Sequence, residues 1–301
     1  MNTRRTFLKN TTASVAGATV LGSGVFSAWA NPTPVQGDLT IQQVIDQIIA
    51  TIPGGKLDQT VDTIKQGDGS QKCTGVVTTF MDNAEVIKKA ASLGANFIIS
   101  HEPTFYNHLD NTEWLENDPV YQYKKKLIAD NGIVVWRFHD YWHRHRPDGI
   151  TEGFLEETNW KKYQSKDSEK SNLLTIPGAS VKDVALELKK KLDLKRPFIV
   201  GDASMKVSKV GLRLGASGGT SQINMLSKED IELLVVGEIN EWETAEYVRD
   251  AQTAGIRKAL IILGHQRSEE PGMKYLVGWM NKKFPGLKAT HVVAGDSFQA
   301  V

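Results

Sequence analysis

Ala95-Asn96-Phe97-Ile98-Ile99-Ser100-His101-Glu102-Pro103 is the stretch on which the fold turns. Phe97-Ile98-Ile99 is too short for a helix and suits a strand covered on both faces, because apolar residues run on without alternation. Polar, metal-ligating residue types follow at once. Just upstream, Gly75-Val76-Val77-Thr78-Thr79 is β-branched and strand-like, and Asn83 to Leu93 reads as a helix that Asn83 caps. Just downstream, Val120 to Ala129 is helical and Ile133-Val134-Val135-Trp136 is again a strand.

The rhythm extends in both directions. Ile41 to Ile52 has apolar residues at helical spacing. Later come the helix Val181 to Leu192 and the strands Phe198 to Val200, Val210 to Leu214, Leu233 to Val236 and Ala259 to Leu263. Helices Trp242 to Ala254 and Met273 to Lys283 separate the last of these, and His291-Val292-Val293 closes the series. Strands alternating with helices predict an α/β fold, two-lobed, with mostly parallel sheets flanked by helices. The first lobe spans 38–155 and the second segment 156–301, with the polar stretch from Glu156 to Ser171 between them as a linker or surface excursion.

The chemistry gathers at strand ends. His101-Glu102 follows the strand at 97–99. Arg137-Phe138-His139-Asp140-Tyr141-Trp142-His143 follows the strand at 133–136. Gly237-Glu238 follows 233–236, and Gly264-His265, with Glu269 four residues on, follows 259–263. In an open parallel sheet the C-terminal strand ends face one crevice, where ligands bind. Histidine and carboxylate without thiolate suit Zn, Fe or Mn. The four-residue spacing of His265 and Glu269 places both on one helical face or across a short turn. A carboxylate can bridge two cations, which together activate water for attack on a carbonyl, amidine or phosphate centre. On this reading His101, Glu102, Asp140, His265 and Glu269 form a metal site. His108 and His145 read as surface residues and His291 as structural. Gly215-Ala216-Ser217-Gly218-Gly219-Thr220 is a strand-to-helix turn whose amides could hold an anionic group, although it lacks the spacing of a P-loop or dinucleotide fingerprint.

The 301-residue chain has an opening with a different purpose. Arg4-Arg5-Thr6-Phe7-Leu8-Lys9, a mildly apolar run from Thr11 to Phe26 and Ala28-Trp29-Ala30 make a twin-arginine export signal over residues 1–30. The mature protein is therefore expected in the periplasm or otherwise exported, with no stable membrane insertion after cleavage. The signal carries three basic groups and no acidic one, so its removal leaves 33 Lys and Arg against 35 Asp and Glu, a net charge of −2. That balance argues against nucleic acid as a partner and leaves a small-molecule substrate. Cys73 is the single cysteine, which excludes an internal disulfide; it reads as a buried small side chain.

In order along the chain, the His101-Glu102-Pro103 motif, the turn Leu214 to Gly219, Val236-Gly237-Glu238 and Gly264-His265-Gln266-Arg267-Ser268-Glu269 resemble the Nif-three-like dinuclear metal-centre family, whose members are also called GTP cyclohydrolase type-two homologues. The resemblance spans nearly the whole mature chain. It implies a two-lobed α/β subunit, a toroidal homohexamer and two divalent metal ions per subunit. His101, His265 and Glu269 match ligand positions directly. Glu102 stands where many members carry a second histidine, which favours Fe or Mn relative to Zn. The family usually places a bridging Asp four residues after a His, where this chain has His139 and His143. The bridging role then passes to Asp140, with His143 as a further ligand or proton shuttle and His139 behind. The implied activity is a metal-dependent hydrolase for a cyclic amide, amidine or nucleotide-like substrate, with Glu238 or His143 moving protons. A phosphoesterase and a non-enzymatic metal-binding protein are the alternatives.

Overall fold

The computed structural model describes residues 39–167 and 172–299; the expected export signal lies outside the described residues. Two five-stranded mixed sheets carry the fold. In the first the order is β1 (Ile64–Gln66), β4 (Val134–Arg137), β3 (Phe97–Ser100), β2 (Val76–Thr79) and β10 (Ala289–His291). Strands β4, β3, β2 and β10 are parallel, and β1 runs antiparallel at the edge. The second sheet has the order β5 (Leu173–Ser180), β7 (Lys206–Arg213), β8 (Leu233–Val236), β9 (Ala259–Ile262) and β6 (Phe198–Val200). Its centre, β7 to β9, is parallel and both edges are antiparallel.

The central strands β2, β3, β4 and β8 are buried at every position, the condition their unbroken apolar runs anticipate. Helix α1 (Ile41–Ile49) covers one face of the first sheet together with α9 (His265–Lys283), and α2 (Ala84–Ser92) and α3 (Pro119–Asp130) cover the other. Asn83 caps α2 by accepting a hydrogen bond from the Val86 amide, and Asp118 caps α3, where Pro119 takes the first turn without an amide to satisfy. On the second sheet, α6 (Val181–Lys191) packs on one face and α7 (Gly219–Lys228) and α8 (Glu246–Thr253) on the other. Among the described residues no helix is long and apolar enough to cross a membrane.

One helix joins the two cores. In α5 (Gly149–Glu157), Ile150 belongs to the first core and Phe154 and Leu155 to the second. It lies directly against α9, and the close approach is made by glycine: a Cβ on Gly153 would stand 2.3 Å from the Pro271 carbonyl oxygen, and one on Gly272 would stand 2.6 Å from Ile150. Helix α9 begins at His265, well before the expected Met273, and carries Pro271 inside it. The expected linker is partly structured: Trp160 is buried, and Lys161 pairs with Glu152 on α5.

Candidate metal centre

The C-terminal ends of β3, β4, β8 and β9 deliver their polar residues to one place. His101 and Glu102 leave β3, and their amides are held by carbonyls of Thr79, the last residue of the neighbouring strand β2, and of Phe80 just after it. After β4, the short helix α4 (Asp140–Arg144) presents His139 and His143 one turn apart. Asp62, buried in the loop before β1, fixes that turn by accepting hydrogen bonds from the amides of His139, Asp140 and Tyr141. Helix α9 supplies His265 and Glu269 from successive turns, with Nε2 of His265 3.0 Å from Glu269 Oε2.

Glu269 is the hub. Its carboxylate also lies 3.4 Å from His101 Nε2 and 3.9 Å from His143 Nε2. Glu102 Oε1 lies 3.5 Å from His265 Nε2 and 3.8 Å from His139 Nε2. Among the described residues, two sets of donors stand within 4.8 Å of one another and could hold a metal ion: His101, His139 and His143, and His101, Glu102 and Glu269. His101 and Glu269 form the buried floor, while the side chains of His139, His143 and His265 are 24%, 34% and 23% exposed and form an open rim.

Three imidazoles are backed by an acceptor on Nδ1: for His101 it is the Phe138 carbonyl at 3.2 Å, for His139 Asp140 at 3.0 Å and for His143 Asp148 at 2.9 Å, while Glu238 approaches Nδ1 of His265 at ion-pair distance, 3.5 Å. Because a carbonyl only accepts, Nδ1 of His101 donates to it, and Nε2 faces inward. That Nε2 is buried with no hydrogen-bond partner, and a polar atom left in this state is expected to meet a ligand. The chemistry of the donors and the orphaned nitrogen therefore fit a divalent cation.

The electrostatics say the same. Burial drives His139 down to about 4, reinforced by the neighbouring His101 and His143. Burial also pulls on His143 and His265, but carboxylates outweigh it: Asp148 and Glu269 lift His143 to about 9, and Glu102 and Glu269 lift His265 to about 10. Burial opposes ionisation of Glu102 and Glu269, yet the surrounding imidazoles hold both below the usual carboxylate range. Without a cation, this cluster keeps protons where the positive charge of a metal belongs.

The structure brings together His101, Glu102, His143, His265 and Glu269 from the expected set and adds His139. Asp140 sits behind His139 instead: one oxygen takes its Nδ1 and the other accepts from Thr60 and the Val61 amide. Glu238, half exposed, stands at ion-pair distance from Nδ1 of His265. His108, read as a surface residue, lies on the rim with its ring 6.2 Å from that of His139. His291 lies 3.0 Å from Glu270 and 3.3 Å from Thr78.

Sequence reasoning passed over four supports. Asp148 caps α5 and orients His143, a double duty signalled only by its place before Gly149. Asp62 has no local signal. Arg137 is fully buried; it donates to the carbonyls of His101 and His108 and places its guanidinium 3.6 Å from Glu102 Oε2, leaving Oε1 for the cluster. Gly215 is the fourth, and it gives the Gly-rich turn its role. Its φ is +62°, and a Cβ there would stand 2.0 Å from Glu269 Oε1, so only glycine lets the backbone run over the hub carboxylate. Its amide donates to Ser268 of α9.

Among known proteins, the GTP cyclohydrolase 1 type 2 homolog of Buchnera aphidicola is 23% identical over 239 residues, 75% of this chain and 88% of that protein. Among solved structures, Staphylococcus aureus SA1388 superposes with a TM-score of 0.70 at 16% identity, covering 88% of this chain and all of that one. A Bacillus cereus protein related to NIF3 gives 0.68 at 16% identity, over 88% and 99% of the two chains. Reduced HcgD from Methanocaldococcus jannaschii gives 0.60 at 17% identity, over 84% and 98%. These likenesses concern the fold. With residues 45–296 matching its family model, the chain belongs to the Duf34/NIF3 (NGG1p interacting factor 3) family.

Proposed function

We propose that the chain is an exported metal-dependent hydrolase holding two divalent cations, Fe or Mn in preference to Zn, and acting on a small cyclic amide or amidine. The observation that carries this reading is the common orientation of four imidazoles: each turns Nε2 toward the buried pair Glu102 and Glu269, and three of them, His101, His139 and His143, have a hydrogen-bond acceptor at Nδ1. Such second partners fix tautomer and direction in metal sites. His101, Glu102, His139, His143, His265 and Glu269 would hold the ions. A bound divalent cation would supply a Lewis acid and acidify water near neutral pH.

The chain's own residues do the rest. Arg137 holds Glu102 at one oxygen, Asp148 and Asp140 hold the rings of His143 and His139, and Gly215 admits Glu269. Glu238, half exposed beside His265, is placed to exchange a proton with solvent. The phosphoesterase alternative would use the Gly-rich turn, but both of its close approaches already face carboxylates, Glu269 at Gly215 and Glu243 at Gly219.

The test is elemental analysis of the exported mature protein, its size in solution, and turnover on a panel of cyclic amides, amidines, nucleotides and phosphoesters. Two metals per chain, a hexamer, and amide or amidine hydrolysis abolished by His101→Ala support the proposal. Stoichiometric metal without turnover on any compound leaves the chain a non-enzymatic metal binder.

A further inference from the structure

Five of the eleven large hydrophobic side chains exposed among the described residues fall between positions 106 and 123: Tyr106, Leu109, Trp114, Val120 and Tyr123. Three of them, Tyr106, Val120 and Tyr123, line one cavity of about 480 Å³ together with Met81 and Pro103. Glu102 of the metal cluster forms part of the same wall, and His108 lines it with its ring 6.2 Å from that of His139. The cavity therefore meets the metal cluster at one edge, and its volume is that of a small-molecule site.

The polar groups of the wall decide what it can recognise, and most are already engaged. Asn83 donates to the Ala294 carbonyl and accepts from the Val86 amide. Asn107 donates to the carbonyls of Phe105 and Asn111 and accepts from the Asn111 amide. Lys124 is buried, donates to the Thr104 carbonyl at 2.6 Å and pairs with Asp82 at 3.5 Å. Thr104 is fully buried, with its hydroxyl beside the same Asp82 carboxylate, and the Tyr123 hydroxyl is turned to Lys88. Glu102 and His108, at the edge toward the metal cluster, and the Tyr106 hydroxyl are left to a ligand. The same bonds hold the wall in place before any ligand arrives: the Phe105 amide donates to Asp110, and Lys124 Nζ lies 5.7 Å from the ring centroids of both Phe105 and Tyr106. A polar ring entering this cavity would give up water without finding partners for most of its edge, whereas a hydrocarbon group gains by leaving water.

We propose that this cavity is a specificity pocket for a hydrocarbon substituent of the substrate, a branched alkyl or benzyl-sized group carried next to the bond on which the metal cluster acts. This rests on the hydrolase reading and deepens it: the favoured substrate is an amide or amidine with an apolar side group, and polar ring systems are selected against. Met81, Val120 and the rings of Tyr106 and Tyr123 supply the contact surface. The selection works through hydrogen bonds that a polar group would lose, and not through charge.

The experiment uses the metal-loaded mature chain and a series of hydroxamates, which anchor to a divalent cation through their two oxygens whatever tail they carry. The tails are those of acetic, isocaproic and hydrocinnamic acid, with succinamic acid as the polar isostere of isocaproic acid, and titration calorimetry reads the binding. The proposal expects the isocaproic and hydrocinnamic compounds to bind at least about tenfold tighter than the acetic one, the gain of two buried methylene groups, and the succinamic compound to bind no tighter. Val120→Glu sets a carboxylate in the wall and Tyr123→Ala removes one of its rings. Each is expected to erase the gain and to leave acetic hydroxamate binding, metal content and size in solution unchanged, while Tyr123→Phe keeps the gain. Val120 is 59% exposed in the first turn of α3, where a carboxylate suits the helix dipole, so the fold is not at risk. Equal affinity for all tails, a gain for the succinamic tail equal to that for the isocaproic one, a gain that survives both variants, or a loss that extends to the acetic compound would each overturn the pocket. So would the absence of hydroxamate binding, which removes the metal centre as well. A tail-dependent gain without turnover of any amide or amidine upholds the pocket and sinks the hydrolase reading. Turnover of amides with no preference for apolar side groups does the reverse.

Discussion

Gly215 shows how much of the site hangs on single atoms. Replacing its hydrogen with a methyl group combines a left-handed backbone with a 2.0 Å approach to Glu269 Oε1. The variant Gly215→Ala is expected to fold and to lose most of its metal, because the hub carboxylate is the nearest group that can move. Circular dichroism and elemental analysis on the same sample check it; full metal occupancy would show that Glu269 is not a ligand. The imidazoles give a prediction in pH. His143 and His265 titrate near 9 and 10 without metal, above the ordinary 6.5 of histidine. Raised values mean that these protons stabilise the metal-free fold fully below pH 6.5 and that this stabilisation is lost as pH climbs through 9 to 10. His139, depressed to about 4, acts oppositely and costs stability as pH falls below 6.5. Metal uptake at pH 7 must then expel protons from His143 and His265, which calorimetry in buffers of different ionisation enthalpy detects. Uptake without proton release would contradict the reading. Of these residues the sequence made the ligand types legible at His101, Glu102, His265 and Glu269. It hid the roles of Asp140 and His139, because adjacent residues leaving a strand give no periodicity from which to choose the one that faces inward.

Elements decide whether those atoms meet. Helices α5 and α9 carry Asp148 at one start and His265 and Glu269 at the other, and they touch through Gly153 and Gly272. A leucine at Gly153 would drive its Cβ to 2.3 Å from the Pro271 carbonyl oxygen. Forcing the helices apart is expected to cost about 1–3 kcal/mol in overpacking and to uncouple His143 from Glu269. Denaturant unfolding of Gly153→Leu with and without metal checks this, the expected result being a lower midpoint and little remaining response to metal. Most of the fold was legible at this scale, since β3, β4, β8 and β9 open as apolar runs and Asn83 marks a helix start. Helix α5 was not, for it lies in a stretch whose Gly149, Thr151 and Gly153 weaken any helical signal. The first two turns of α9 were not either, because Pro271-Gly272 reads as a stop. The packing that tolerates that proline and glycine lies about 120 residues away on α5, beyond the reach of local pattern.

At the scale of the whole molecule, the cluster is a junction between two sheets. His101, Glu102, His139 and His143 hang from the first, and His265, Glu269 and Glu238 follow strands of the second. Yet the chain does not separate cleanly at that junction, because β10 returns to pair with β2 and α9 packs in the first core. A cation held by both sets of ligands must stabilise the whole assembly and not one half. Binding to the native state alone would contribute about 4 kcal/mol at a free metal concentration a thousand times the dissociation constant. Chelation is therefore expected to lower the melting temperature and to leave a single transition. Hydrogen exchange should accelerate together in the loop after β3, in α4 and in the first turns of α9, while the strands β2, β3 and β8 keep their protection. Acceleration confined to α9 would mean that the metal is held by the second sheet's residues alone. Equal exchange with and without metal would remove the cation from the stability of the fold altogether. The common response is the one the geometry requires, because Glu269 touches imidazoles from both sheets and cannot be released from one without being released from the other.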